Sequence, residues 1–320
     1  MLKTDICDQL GIKHPLFQGG MAWVSYAELA GAVSNGGGLG IIASGMLKAD
    51  NLGDEIAKAK KITDKPFGVN VMMLRDDVDD IFQAIIDNPV SVVTTGAGNP
   101  GKFIPELKKQ GIKVFPVVAS TALALRMQRA GADGVIAEGM EAGGHIGEIT
   151  SMCLIPEISD AVNIPVIAAG GIIDGRGIAA ALSLGAKAVQ MGTRFLCAEE
   201  TTINHKVKVK VVDAKDRDTI VTGRSTGHPV RVMKNKLSKE LEKLDIENKP
   251  DEVIKLGSNK LESAMKDGDT EWGSLMCGQG AALVRKIQPA AVIIEEVMDE
   301  ASRSIRSALL MIDGAKAEII

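Results

Sequence analysis

The residues best equipped for chemistry stand together in V-I-A-E-G-M-E-A-G-G-H-I-G, Val135–Gly147. A short apolar run breaks off into two glutamates, four glycines and one histidine, the pattern of a buried strand opening into a tight loop. His145 can exchange a proton near neutral pH, and Gly143 and Gly144 before it let backbone approach a flat or anionic ligand with no Cβ in the way. The same residues would also serve a plain glycine turn whose histidine caps a carbonyl, so the rest of the chain must decide. Glu138 and Glu141 read as structural or cofactor-orienting groups, because nothing in their spacing builds an acid pair. No two histidines stand at ligand spacing, which argues against a catalytic metal.

Two further glycine breaks, Ala169-Gly170-Gly171 and Met191-Gly192-Thr193, each close an apolar run. Consecutive glycines offer backbone N–H groups to phosphate oxygens, a following helix start adds the positive end of its dipole, and Thr193 adds a hydroxyl. Gln18, Asn70 and Gln190 lie within or at the ends of apolar runs. Their amides can read the edge of a heterocycle or form a polar layer in a core.

The elements that must position these groups alternate. Strand patterns fall at His14–Gly20, Gly40–Ser44, Phe67–Met72, Val90–Thr95, Lys113–Ser120, Gly134–Glu138, Pro165–Ile172 and Ala188–Phe195. Helical spacing lies between them at Tyr26–Ser34, Asn51–Ile62, Val78–Ile86, Pro105–Gln110, Ala122–Ala130 and Gly177–Leu184. Eight strands with intervening helices predict an α/β fold, a TIM (β/α)8 barrel. A doubly wound open sheet would need G-x-G-x-x-G opening a helix, whereas Gly36–Gly40 precedes a strand. In a barrel, reactive residues occupy the C-terminal ends of strands and phosphate sits after strands seven and eight, which are the loops of Gly170 and Gly192. The His145 loop, after strand six, is their neighbour.

Past Phe195 the chain becomes polar and charge-rich, with V-K-V-K-V at Val207–Val211 as a separate element. Val232–Leu244 and Asp251–Met265 read as charged amphipathic helices, and Gly278–Lys286 and Ala290–Leu310 return to an apolar helical pattern. The expected organisation is a barrel over 1–200, a small, mainly helical lid over 201–270 and closing helices over 271–320 that pack back on the barrel. A net charge of -4 argues against nucleic-acid binding, which needs a strongly basic face. Four scattered cysteines, Cys7, Cys153, Cys197 and Cys277, form no C-x-x-C and fit a reducing cytoplasm. The opening M-L-K-T-D-I-C-D-Q-L lacks a signal core, and no apolar run approaches the ~20 residues of a membrane span.

F-Q-G-G-M-A-W at Phe17–Trp23, G-V-N-V-M at Gly68–Met72, T-T-G-A-G-N-P-G-K at Thr94–Lys102 and A-E-G-M-E-A-G-G-H-I-G at Ala137–Gly147 resemble the FMN-dependent enoyl-acyl-carrier-protein reductase II family. So do P-V-I-A-A-G-G-I at Pro165–Ile172, Q-M-G-T-R-F at Gln190–Phe195, G-H-P-V-R-V-M-K-N-K-L at Gly227–Leu237 and G-D-T-E-W-G-S-L-M-C-G-Q at Gly268–Gln279, so the likeness spans nearly the whole chain. Nitronate monooxygenases share the barrel, the FMN and an E-A-G-G-H segment, and are the alternative. Ala43-Ser44 stand where the reductase family has glycines.

The resemblance implies reduction of trans-2-enoyl thioesters, delivered by an acyl carrier protein in fatty-acid synthesis, with NADH or NADPH passing hydride through FMN and His145 supplying the proton at Cα. It implies that Gly170, Gly171, Met191, Gly192 and Thr193 hold the FMN phosphate and that Met21, Ala22 and Asn70 lie by its ring system. Glu138, Gly143, Gly144, Ala169 and Gln190 complete the expected cofactor contacts. A monovalent cation and a homodimer are further expectations from relatives.

Overall fold

The computed structural model describes residues 2–312; Met1, at the start of the expected barrel segment, and 313–320, at the end of the expected closing segment, lie outside the described residues. The strands are β1 (Leu16–Gln18), β2 (Gly40–Ala43), β3 (Phe67–Met72), β4 (Val92–Gly96), β5 (Lys113–Val118), β6 (Val135–Glu138), β7 (Gly144–His145), β8 (Val166–Ala169), β9 (Ala188–Met191), β10 (Thr219–Thr222) and β11 (Val230–Met233). Eight of them pair in the order β1-β9-β8-β6-β5-β4-β3-β2, every pair parallel. The ring closes where Phe17 bridges Leu39 and the Gln18 amide donates to the Leu39 carbonyl at 2.9 Å. This is the TIM barrel, with its helices on the outside. Among the described residues no helix is long and apolar enough to cross a membrane.

The barrel centre is plugged by large apolar side chains. Phe17 and Phe115 meet edge to face with centroids 5.8 Å apart, surrounded by Ile41, Val92, Ile136 and Ile167, the filled interior that makes such a barrel a core and not a pore. The next level toward the strand C-termini is polar, because register sets Asn70 beside Thr94, and Glu138 and Gln190 on either side of Ala169. Gln18 is fully buried and satisfied inside the protein: it donates to Ser25 Oγ (2.9 Å) and the Ile41 carbonyl (3.3 Å) and accepts from the Ile41 amide (3.1 Å). It takes the core role.

After the barrel comes a helix at His205–Val212. Its V-K-V-K-V alternation is helical because Val207 and Val211 are buried four apart while Val209 is exposed. The helix expected from Val232 starts instead at Lys236, since Val230–Met233 is drawn into an antiparallel three-stranded sheet, β10-β11-β7. The segment expected as one helix over Asp251–Met265 breaks at Asn259, whose φ of 61° is left-handed, and Gly278–Lys286 forms only a 3-10 turn at Gln279–Leu283. Helix Ala290–Leu309 packs on Gly175–Ser183 and Ala27–Asn35.

Candidate active site

A cavity of about 620 Å³ opens at the C-terminal ends of the strands, between the polar level of the barrel and Gly227, Leu261, Met265 and Met276 of the chain beyond it. Its wall gathers Met21, Ala22, Asn70, Glu138, Gly143, Gly144, His145, Ala169, Gly170, Gly171, Gln190, Gly192 and Thr193. Met191 is the exception among the residues expected there. Alternate residues of a strand face opposite ways, so Gln190 points into the barrel while Met191 points outward and is fully buried among apolar side chains.

His145 stands on a loop tied at several points. The Met140 amide donates to the Ile149 carbonyl (2.8 Å), the Gln279 amide to the Glu141 carbonyl (2.8 Å) and the Ile146 amide to the Pro229 carbonyl (3.1 Å). Glu141 accepts from the Ser151 amide (3.0 Å) and hydroxyl (2.9 Å), anchoring the loop to the start of the next helix. Arg231 on β11 donates to the Met140 carbonyl through Nη2 (3.0 Å) and Nε (3.2 Å). Burial lowers the pKa of this guanidinium, and Glu141 opposes that shift.

Gly143 is glycine for a reason other than ligand approach: a Cβ there would come within 2.6 Å of the Cys277 carbonyl carbon, so the Cys277–Gly278 backbone fills the space. Gly144 has φ +79°, which a side chain rarely adopts. The His145 ring is exposed to the cavity, yet surrounding protein excludes enough water to lower its pKa, with the nearby His228 adding to the effect. Among the described residues the ring has no hydrogen-bond partner, so it is free to meet a ligand.

Glu138 lies on the floor with no partner among the described residues, and burial pushes its carboxyl up to about 7. Asn70 Nδ2 donates to Thr94 Oγ1 (2.9 Å), which turns its carbonyl oxygen loose. On the opposite wall, the amides of Gly171, Ile172, Gly192 and Thr193 find no acceptor among the described residues. Unpaired amides converging on a cavity form an anion site. Thr193 Oγ1 accepts from the Gly278 amide (2.8 Å), and its hydroxyl also lies by the Cys277 thiol.

Several wall residues went unsingled in the sequence. Trp23 and Ala97 hold positive φ of 66° and 57° at the cavity, the kind of backbone strain found where a site is shaped; neither residue type announces it. Leu261, Met265 and Met276 bring an apolar wall from the lid side, and His228 stands at the wall near His145. The one available signal for His228 was its place in the G-H-P-V-R run.

The family model described as nitronate monooxygenase matches residues 3–300. The structure of FabK from Thermotoga maritima superposes with a TM-score of 0.95 at 48% identity, covering 98% of this chain and 100% of that one. The (3aS,4S,5R,7aS)-5-hydroxy-7a-methyl-1-oxo-octahydro-1H-indene-4-carboxyl-CoA dehydrogenase of Mycobacterium tuberculosis is 42% identical over 75% of this chain and 69% of its own. A probable nitronate monooxygenase of Staphylococcus saprophyticus is 33% identical over 94% of this chain and 98% of its own.

Proposed function

The chain belongs to the nitronate monooxygenase family of oxidoreductases, and from that premise we propose that it is an FMN-dependent reductase of trans-2-enoyl thioesters presented on acyl carrier protein, with NADH or NADPH as hydride donor. The observation that carries this reading is the end-to-end likeness to FabK at 48% identity, against 33% to the staphylococcal nitronate monooxygenase. The relative named as a carboxyl-CoA dehydrogenase adds a second protein whose name describes a thioester.

The cavity suits FMN. The unpaired amides of Gly171, Ile172, Gly192 and Thr193, with the Thr193 hydroxyl, match a phosphate, and the polar floor of Asn70, Glu138 and Gln190 matches a heterocycle with donors and acceptors on its rim. Met21 and Ala22 supply apolar contact beside it. Bound there, FMN supplies a two-electron carrier between the nicotinamide and the substrate. The protein does the rest. The lid side holds the acyl chain against Leu261, Met265 and Met276, methionine being adaptable to chains of different length. His145 delivers the proton to Cα while negative charge builds toward the thioester oxygen, and a positioned acid of this kind is worth about 10²–10⁴ in rate.

A second reading, oxidation of alkyl nitronates by oxygen, is favoured by the family model that matches residues 3–300. Anaerobic reduction of the purified protein with NADH, followed by crotonyl thioester, separates the two. Rapid return of the flavin spectrum supports the reductase; nitronate turnover in air without enoyl reduction replaces it.

A further inference from the structure

We propose that His228, carried on the lid, passes protons from solvent to His145, so that the acid of the barrel is recharged by a residue of the lid. The inference rests on the reductase reading for its chemistry and on the ribbon for its geometry. Val230 lies opposite His145 and Arg231 opposite Gly144, while the Ile146 amide donates to the Pro229 carbonyl. His228 is the next residue back from Pro229, just before the start of β11. His145 opposes Val230, so His228 is two residues from the one directly across from it, and both histidines line the same cavity. Both rings border the one cavity, His228 is exposed, and neither ring has a hydrogen-bond partner among the described residues. The relay requires one water to bridge the two rings.

Chemistry makes the second histidine useful. A neutral imidazole that gives its N–H proton to Cα would become an anion unless its other nitrogen gains a proton in the same event. His145 is held toward the neutral form by its surroundings. In the relay, the N–H bond of His145 breaks as the Cα–H bond forms, a proton from His228 reaches the second nitrogen through the water, and His228 regains one from bulk solvent. Hydride at Cβ and proton at Cα complete the reduction. The charged residues on the elements around the pair are Glu148 on the same loop, Arg224 on the turn before His228, Glu138 on the cavity floor, and Arg231 with Glu141 on the adjoining strand and loop; none of these shifts His145, which is lowered by burial first and by His228 second.

The test uses the flavin-loaded protein and its His228→Gln variant. In NMR titration of the histidine rings, replacing His228, which adds to the burial effect that lowers His145, raises the pKa of His145; an unmoved His145 overturns the pairing whatever the substrate. In stopped flow, reoxidation by crotonyl thioester slows roughly tenfold, a part of the full general-acid effect, and added imidazole restores it, while reduction by NADH stays within about twofold. Slowing that imidazole does not relieve, or no slowing, overturns the relay. Wild-type protein that fails to reduce crotonyl thioester sinks the reductase reading alone, and the ring titration then decides whether the two histidines are coupled.

Discussion

His145 and Val230 face each other across an antiparallel pair, so the candidate acid sits on the edge of a sheet whose other strands belong to the lid. The barrel presents one wall of the cavity, and the strands after it set the position of His145. Changes far along the chain therefore reach His145 without touching the floor.

Arg231 tests this directly. Its guanidinium holds the Met140 carbonyl from two nitrogens, and Arg231→Met leaves that carbonyl with fewer donors and the loop with one fewer tie. We expect a loss of about 2 kcal/mol of stability, the scale of a hydrogen bond from a charged donor, read as a lower urea midpoint. Reoxidation by crotonyl thioester falls more than reduction by NADH does. Equal effects on both half-reactions would mean that Arg231 only supports the fold.

His145→Ala removes the acid itself. It keeps flavin and remains reducible by NADH, while reoxidation by crotonyl thioester slows at least about a hundredfold. Stopped-flow absorbance of each half-reaction reads the difference, and equal slowing of both would assign the residue to shaping the pocket.

Phosphate binding is best probed at Gly192. Gly171 has φ +74° and a Cβ there would lie 3.2 Å from the Glu141 Cβ, so any side chain strains the backbone. At Gly192 the nearest atom to an added Cβ is Met21 Sδ at 3.6 Å, an ordinary contact. Gly192→Asp therefore folds and sets a negative charge against the phosphate. Flavin content of the purified variant drops at least about tenfold, since a repulsion near 1.4 kcal/mol already gives that factor; wild-type occupancy would move the phosphate elsewhere.

Glu138 gives a pH signature. Its folded pKa of about 7 exceeds the ordinary 4.5, so the fold favours the protonated acid. Stability is complete below the unfolded value and declines as pH rises from 4.5 toward 7, by at most about 3 kcal/mol because cavity water softens the effect. Glu138→Gln keeps a neutral group there at every pH. In the flavin-free protein, its Tm should match wild type near pH 4.5 and exceed it at about pH 8; parallel curves would refute the shift.

Much of this could be read from the residues, for reasons that differ by element. Barrel strands such as V-V-T-T-G and V-I-A-A declare themselves because burial on both faces demands short β-branched runs ended by glycine. The cavity wall followed from position, since strand ends six to eight must be neighbours in a closed ring. The pairing of Gly144–His145 with Val230–Arg231 could not be read, because a two-residue strand has no periodicity and its partner lies in a run that also fits a helix. Met191 differs from Gln190 and Gly192 in not lining the cavity, because strand alternation sends its side chain outward. His228 carried no local pattern that set it apart from an ordinary surface histidine.

Helix Ala290–Leu309 packs on both Ala27–Asn35 and Gly175–Ser183, joining the start of the barrel to its end. On the ribosome, where chains grow at roughly 5–20 residues per second, all eight barrel strands emerge well before this helix. Until it arrives, the apolar side chains that later meet Ile293, Ile294, Val297 and Met298 face water. The nascent barrel thus passes through an interval with one bare seam, and the seam is sealed by almost the last turns of the described chain.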